Sequence, residues 1–403
     1  MKIVFFLILS LLLLSCTFKE LKKEITESAT GITEIVNYCP PKHTINPISI
    51  TSRFEKSITF HLGDSLVLTN YTKVQYLPKI NHLAVLDNYF NRVIFFDLSN
   101  QQKKSTIAID SEDIRREING FSVLSRDSIL LFTYADKAFY IVNSDGELTD
   151  RFSINYSDMV SSSDLRGSPS PSVENGSPFY VANNELMFVG YLFGEHQKED
   201  YNSRFIRGRV NLSTGYCISD VTYSPIYQNT NWGGDYYRIP YYCMLPDGEQ
   251  LISLPAEHKI LSVNQQNHMS LKNGSSPNVG CINSMEISKG DLLVEIEKDD
   301  HLILKHYLSN FSYKNVIYLP TQDIILRVIE YPVRINNDKP GVFKKSSFLA
   351  FNRDFDFLDE IDIPANLSTS NYFITSEGIY LLNLDQKDET YAKYTLLSFD
   401  NMP

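Results

Sequence analysis

One tryptophan and five cysteines are all that 403 residues contain of those types. No two cysteines stand in the CxxC spacing of a zinc knuckle or a redox site. There is no GxxxxGK[ST] loop, no GxGxxG, no GxSxG and no HExxH, so glycine-loop nucleotide binding, a serine elbow and zincin chemistry have no basis in the sequence. Lys and Arg number 37 against 48 Asp and Glu, a net charge of −11. With no long basic run, that balance argues against nucleic acid, whose phosphates need clustered cations. The one long apolar stretch, Ile3 to Leu14, is shorter than the about 20 residues that a membrane-spanning helix requires. No cofactor and no metal site is expected. His301 and His306 are five apart, off a shared i,i+4 face, and Cys39 with His43 is too small a set. The acidic run Asp354, Asp356, Asp359, Glu360 and Asp362 lacks the Gly and closing Glu of a calcium loop.

What the chain does have begins at its start. Met1-Lys2, the apolar stretch and then Leu13-Leu14-Ser15-Cys16 read as a removable signal rather than a membrane span. Cysteine directly after the small residue resembles a bacterial lipobox, in which that cysteine is acylated and becomes the new N-terminus. The expected organisation is a signal peptide over 1–15, a lipidated Cys16 with a tether over 16–50, and a folded domain over 51–403. The expected location is the cell envelope, anchored to a membrane by lipid, with the face of the membrane left open. Cys39, Cys217, Cys243 and Cys281 then remain, and their pairing is open: four cysteines allow 3 connectivities, and buried free thiols are equally compatible.

Tyrosine (25) and phenylalanine (24) are abundant, which favours strands, where flat rings fit a pleated surface. Six times an apolar run ends in Asp or Asn before a polar turn: at Asp97, Asn143, Asn211, Asn264, Asn352 and Asp400. Each has a strand-like partner upstream, His82 to Leu86, Ser128 to Thr133, Glu185 to Val189, Gln250 to Leu254, Ile324 to Ile329 and Gly378 to Leu382. The shorter spacings match the roughly 40–50 residues of a propeller blade. The reading is an all-β fold, a β-propeller of six blades. The last anchor has no outer strand after it, and Ser57 to Leu62 is placed to complete that blade. Ser157 to Ser177, rich in Ser, Pro and Gly, reads as a surface loop, Phe193 to Ser203 as an extended hairpin loop, and Asp299 to Asn315 as a helical or strand insertion.

The densest local feature is Tyr223 to Tyr242, which holds the only Trp. A loop carrying Trp232, followed by an innermost strand from Tyr236 to Tyr242, would set Trp232, Tyr236, Tyr237, Arg238 and Tyr242 around a funnel or rim site. Tyr and Trp join a flat apolar face to a polar tip, which suits sugar rings and peptide side chains. Packing of alternate tyrosines between blades is the competing and commoner fate of such residues. A fainter echo runs from Tyr313 to Arg334 with Tyr318, Arg327 and Tyr331.

Leu14-Ser15-Cys16, blade turns such as Val142-Asn143-Ser144-Asp145-Gly146, and Tyr236-Tyr237-Arg238-Ile239 together resemble the exported Bacteroidota lipoproteins of six-bladed, TolB-like propeller type. The domain-of-unknown-function family numbered 4221 is the type it is most similar to. That resemblance implies an envelope location and a binding role, and it transfers no catalytic residue. The functional expectation is a membrane-tethered binding or scaffold protein for a glycan, peptide or partner protein. The competing class is a propeller glycosidase or lyase, which needs two carboxylates converging about 5–10 Å apart or a Tyr/Arg/His set in the funnel.

Overall fold

The computed structural model describes residues 36–40, 50–63, 66–109, 114, 116–156, 169–191, 204–227, 230–285, 300–333, 344–386 and 388–400. The signal peptide, Cys16, the loop at 193–203 and Arg334 lie outside these residues. Six sheets, antiparallel except where Asn155–Tyr156 pairs parallel with Tyr216–Cys217 at the edge of the third, make a six-bladed β-propeller. Five of them have four strands: from residues 74 to 108, 120 to 153, 241 to 273, 312 to 363, and the last from three strands between 367 and 400 plus Thr51–His61. In that last sheet Thr51–His61 pairs antiparallel with Tyr391–Asp400 as the outermost strand.

The second and third strands of each blade are covered on both faces by neighbouring blades, which explains their unbroken apolar runs. His82–Asp87 is buried at five of six positions, whereas the outer strand Lys103–Ala108 has no buried position. The core is therefore distributed between blades. Phe60, Leu83, Phe96, Tyr380 and Tyr394 join the sixth blade to the first, and Leu130, Phe139, Phe188 and Val210 join the second to the third. The recurring Asp or Asn ends the third strand by capping the turn with its own side chain. The Oδ1 of Asn143 accepts from the amides of Asp145 and Glu147, that of Asn264 from Gln266 and His268, and that of Asn352 from Asp354 and Asp356. Such Asx turns are what short polar side chains favour.

Antiparallel order fixes which connections share a face. Turns joining first to second and third to fourth strands lie on the lower face. Turns joining second to third strands, and crossings between blades, lie on the upper face. The strand Thr51–His61 leads into the crossing to the first blade, so it starts at the lower face and ends at the upper.

The third blade departs from this scheme. Its first strand is split: Ser170–Pro171 and Tyr180–Ala182 both pair with Glu185–Tyr191, and residues 172–179 leave the sheet between them. This excursion enters the propeller axis. Asn175 donates through Nδ2 to the carbonyls of Thr72 and Ser370 and accepts from the amide of Val74. The carbonyl of Gly176 accepts from the Tyr242 amide, and Ser177 Oγ donates to the Pro240 carbonyl. The third blade is thus tied to the first, fourth and sixth across the centre. The surface loop expected over Ser157 to Ser177 is corrected for its last part: Gly176 and Ser177 are buried, because adjacent blades supply the hydrogen bonds that a loop normally takes from water. A Cβ on Gly176 would stand 2.1 Å from Asn315 Oδ1. Gly176→Ala is expected to lower stability by about 1–3 kcal/mol, read as a lower urea midpoint at unchanged slope.

Candidate functional site

The innermost strand expected from Tyr236 to Tyr242 is shorter than that. Gly233 and Gly234 both take positive φ (96° and 62°), and Gly234–Tyr237 forms a turn of 3-10 helix. Pro240 has no amide hydrogen to give a ladder, and the strand runs only over Tyr241–Met244. The side chains therefore do not alternate toward a funnel. Trp232 is 3% exposed, with Nε1 donating to the Ile226 carbonyl. Tyr237 and Tyr242 are buried, their hydroxyls donating to the carbonyls of Phe311 and Pro178. Arg238 is buried too, with Nη1 3.8 Å from Asp235 Oδ1. For Trp232, Tyr237, Arg238 and Tyr242 the expected direct contact with a ligand is corrected to a buried placement: the tips of Trp232, Tyr237 and Tyr242 donate to backbone carbonyls inside the fold.

Tyr236 is the exception, at 38% exposed. Its ring stacks on Tyr307, centroids 4.4 Å apart and planes within 13°. Tyr307 comes from the helix Asp300–Ser309, the form taken by the insertion expected at Asp299 to Asn315. Lys344 Nζ lies 4.1 Å and Lys314 Nζ 5.4 Å from the centroid of the Tyr307 ring. The Tyr307 hydroxyl donates to Glu330, which also accepts from Ser312 Oγ at 2.8 Å and faces Lys314 Nζ at 3.9 Å. Lys344 Nζ in turn donates to the carbonyls of Tyr307 (3.1 Å) and Asn310 (2.7 Å), closing the C-terminal end of the helix. Burial brings Lys344 down to about 7 despite Glu330 nearby. Burial would raise the Glu330 carboxyl, but Lys314, Lys344 and the two hydroxyls hold it below the ordinary range. Tyr307 is thus fixed from beneath and from the side, leaving Tyr236 as a braced aromatic plate at the solvent boundary. Toward the axis the same upper face continues through Tyr241, Tyr191 and Tyr134, all with hydroxyls pushed up by burial, and the ion pair of Lys73 and Glu174 at 3.3 Å.

Segment 36–40, placed by the sequence in the tether, docks beside this site. Asn37–Tyr38 pairs with Ile282–Asn283, and Cys39 is bonded to Cys281. Tyr38 donates to Glu257 at 2.5 Å, and His258 Nε2 lies 2.9 Å from the Tyr38 carbonyl. Under this seat sits Arg327, fully buried, giving all its N–H groups to Ser253 Oγ and the carbonyls of Leu254, Glu257, His258 and Gly274. Its guanidinium carbon is 3.7 Å from the Tyr313 ring centroid. Cys217 and Cys243 are free, and burial pushes both thiols up to about 12.

Beside the axial excursion remains a cavity of about 70 Å³, lined by Lys73, Gln75, Ser122, Glu174 and Phe179 among others. A broader groove of about 580 Å³ opens on the lower face, with Arg151, Asn184, Ser213 and Thr214 in its wall. Among the described residues no three His, Cys, Asp or Glu side chains gather as a metal set, and no helix is long and apolar enough to cross a membrane. Sequence reasoning missed Tyr307 and Lys344. The one available signal was the run Lys305-His306-Tyr307 within the insertion, and nothing local tied it to Tyr236.

Comparison with known proteins agrees with the architecture. The family model described as a domain of unknown function, DUF4221, matches residues 51–362. A crystal structure of a DUF4221 member from Bacteroides vulgatus superposes with a TM-score of 0.73 at 16% identity, covering 89% of this chain and 100% of that one. A protein from Bacteroides fragilis described as exported superposes at 0.53 with 11% identity, covering 87% and 96%. No curated protein matches the chain.

Proposed function

The chain belongs to the DUF4221 family, a propeller domain without an assigned activity, and we propose that it is a lipid-anchored envelope protein that binds a glycan on its upper face. The observation that carries this reading is the solvent-open Tyr236 ring stacked on a Tyr307 that Glu330, Lys314 and Lys344 hold in place. A flat, half-exposed aromatic plate held rigid by the buried charges beneath it offers a face on which a sugar ring stacks. Anchoring at Cys16 is supported by the lipobox-like Leu14-Ser15-Cys16, and export by the Cys39–Cys281 bond, since such bonds persist in oxidising compartments. The exported relative from Bacteroides fragilis is in keeping with that placement.

Catalysis of glycan cleavage at the axis is the less favoured reading. Residues 172–179 occupy the axis and leave about 70 Å³ beside them, against the roughly 300 Å³ or more of an ordinary small-molecule pocket. The binding reading is tested by retention on an array of immobilised bacterial glycans. Tyr236→Ala, at a half-open position, should keep the melting temperature and lose at least about tenfold in affinity, as the loss of an aromatic anchor does. Unchanged retention, or a wild-type protein that retains no glycan, overturns it.

A further inference from the structure

We infer that the Cys39–Cys281 clamp turns the upper face of the propeller, with Tyr236 on it, toward the membrane that holds the lipid, so that the lipid surface is the partner of that face. This rests on the anchoring reading of Cys16. The topology makes the clamp decisive. The folded chain starts its outer strand at Thr51, on the lower face, where Thr51 pairs with Asp400 at the end of the third strand of the last blade. Without further attachment, a tether would leave the molecule from below and hold the upper face away from the membrane.

Instead the chain is secured again at residues 36–40, and every partner there belongs to the upper face. Cys281, Ile282, Asn283 and Ser284 lie in the crossing from the fourth blade to the fifth, and Glu257 and His258 in the turn between second and third strands of the fourth. The ten residues from Pro40 to Ile50 can span about 33–36 Å, the length of the eleven-residue strand Thr51–His61 itself. The last clamped residue before the lipid, Val36, exchanges hydrogen bonds with Ser284, and the Met285 amide donates to the Asn231 carbonyl, next to Trp232. The tether thus departs from the edge of the Tyr236 site. From Val36 back to Cys16 there are twenty residues, and a random coil of that length has a root-mean-square span of about 25 Å.

An independent feature of the same face fits a lipid surface. Tyr89 and Phe90, in the turn between second and third strands of the first blade, are 86% and 52% exposed, and Tyr71, in the crossing into that blade, is 75% exposed. The rings of Tyr89 and Phe90 stand edge to face 4.8 Å apart, with Arg92 4.7 Å from the Phe90 centroid. Exposed tyrosines beside an arginine are the composition of membrane-interface belts. The ligand of the Tyr236 site is then one displayed at that membrane, a glycan linked to lipid or carried by a membrane protein.

The test uses the full lipidated chain on vesicles of phosphatidylethanolamine and phosphatidylglycerol with an acceptor dye on the headgroups. A donor dye is attached through Tyr89→Cys on the upper face or Ser144→Cys on the lower. Transfer from position 89 should exceed that from 144, and the difference should vanish or reverse when Cys39→Ser and Cys281→Ser are added. Equal or weaker transfer from 89 in the clamped protein overturns the inference without any need for the clamp variant to fold. A folded clamp variant that keeps the difference overturns it as well. A chain that fails to float with the vesicles overturns the anchoring reading itself, a result distinct from floating with the wrong face inward.

Discussion

Arg327→Met is expected to lose at least about 4 kcal/mol of unfolding free energy, a size reserved for the removal of one member of a buried polar network. The reason is stoichiometric. A guanidinium has five N–H donors in a rigid fork, and all five are spent here: Nε on Ser253 Oγ at 2.9 Å, Nη1 on the carbonyls of His258 (3.0 Å) and Gly274 (2.9 Å), Nη2 on those of Leu254 (3.2 Å) and Glu257 (2.7 Å). Methionine fills much of the volume and satisfies none of the four carbonyls, each of which costs about 1–3 kcal/mol when stranded without water. Burial brings Arg327 down to about 10 against the opposing pull of Tyr313 and Glu257, and it stays charged at neutral pH. Lysine offers only three donors from one point and cannot lie flat on Tyr313, so Arg327→Lys should recover less than half of the loss. Urea unfolding reads both variants. A loss below about 1 kcal/mol for Arg327→Met would contradict the network, since that is the cost of one ordinary hydrogen bond.

Acid should weaken the fold well before its carboxylates titrate. Burial, reinforced by the neighbouring Arg327 charge, holds His258 down at about 4 against an ordinary 6.5. In the folded state the ring is neutral, Nδ1 2.8 Å from the Tyr313 hydroxyl and Nε2 on the Tyr38 carbonyl, so Nε2 carries the proton and Nδ1 accepts. Unfolded chains take up a proton below pH 6.5 that the native ring refuses until about 4. The stability that His258 contributes is therefore full above about pH 6.5 and falls as pH drops toward 4, by about 3 kcal/mol over that window. His306, also held down to about 4 by burial, adds to the slope. His258→Gln keeps a donor and an acceptor without a titrating ring, and should flatten the curve between pH 6.5 and 5. An identical slope in the variant would show that another group sets it.

Periodic features were legible in the sequence. Asp97, Asn143, Asn211, Asn264 and Asn352 mark third-strand ends because their own carboxyl or amide builds the turn, and the anchor is therefore a local signal. The upstream partner strands were legible because both faces of a second strand are buried, leaving runs such as Ile324–Glu330 with no polar interruption but Arg327. The aromatic stretch failed as a strand because two consecutive glycines at positive φ and Pro240 outvote its tyrosines, and chain-local backbone geometry decides the matter before any ring can pack. Cys39 and Cys281 lie 242 residues apart, and pairing over that distance is a property of the folded topology. The excursion at 172–179 was hidden for a related reason. Ser, Pro, Asn and Gly read as solvent-facing, and here the partners that replace water come from the first, fourth and sixth blades. Tyr236 was visible as part of a cluster, but its distinction from Trp232, Tyr237 and Tyr242 is exposure, which depends on the helix Asp300–Ser309 packing beside it.

Photo-crosslinking in whole cells tests the central claim most directly. A benzophenone-bearing residue placed at Tyr236, or at Ser213 in the lower groove as the control, would be irradiated in the full lipidated chain and the adducts digested and weighed. A carbohydrate-containing adduct is expected from position 236 and none from 213. Adducts confined to 213, or none carrying sugar from 236, would contradict it.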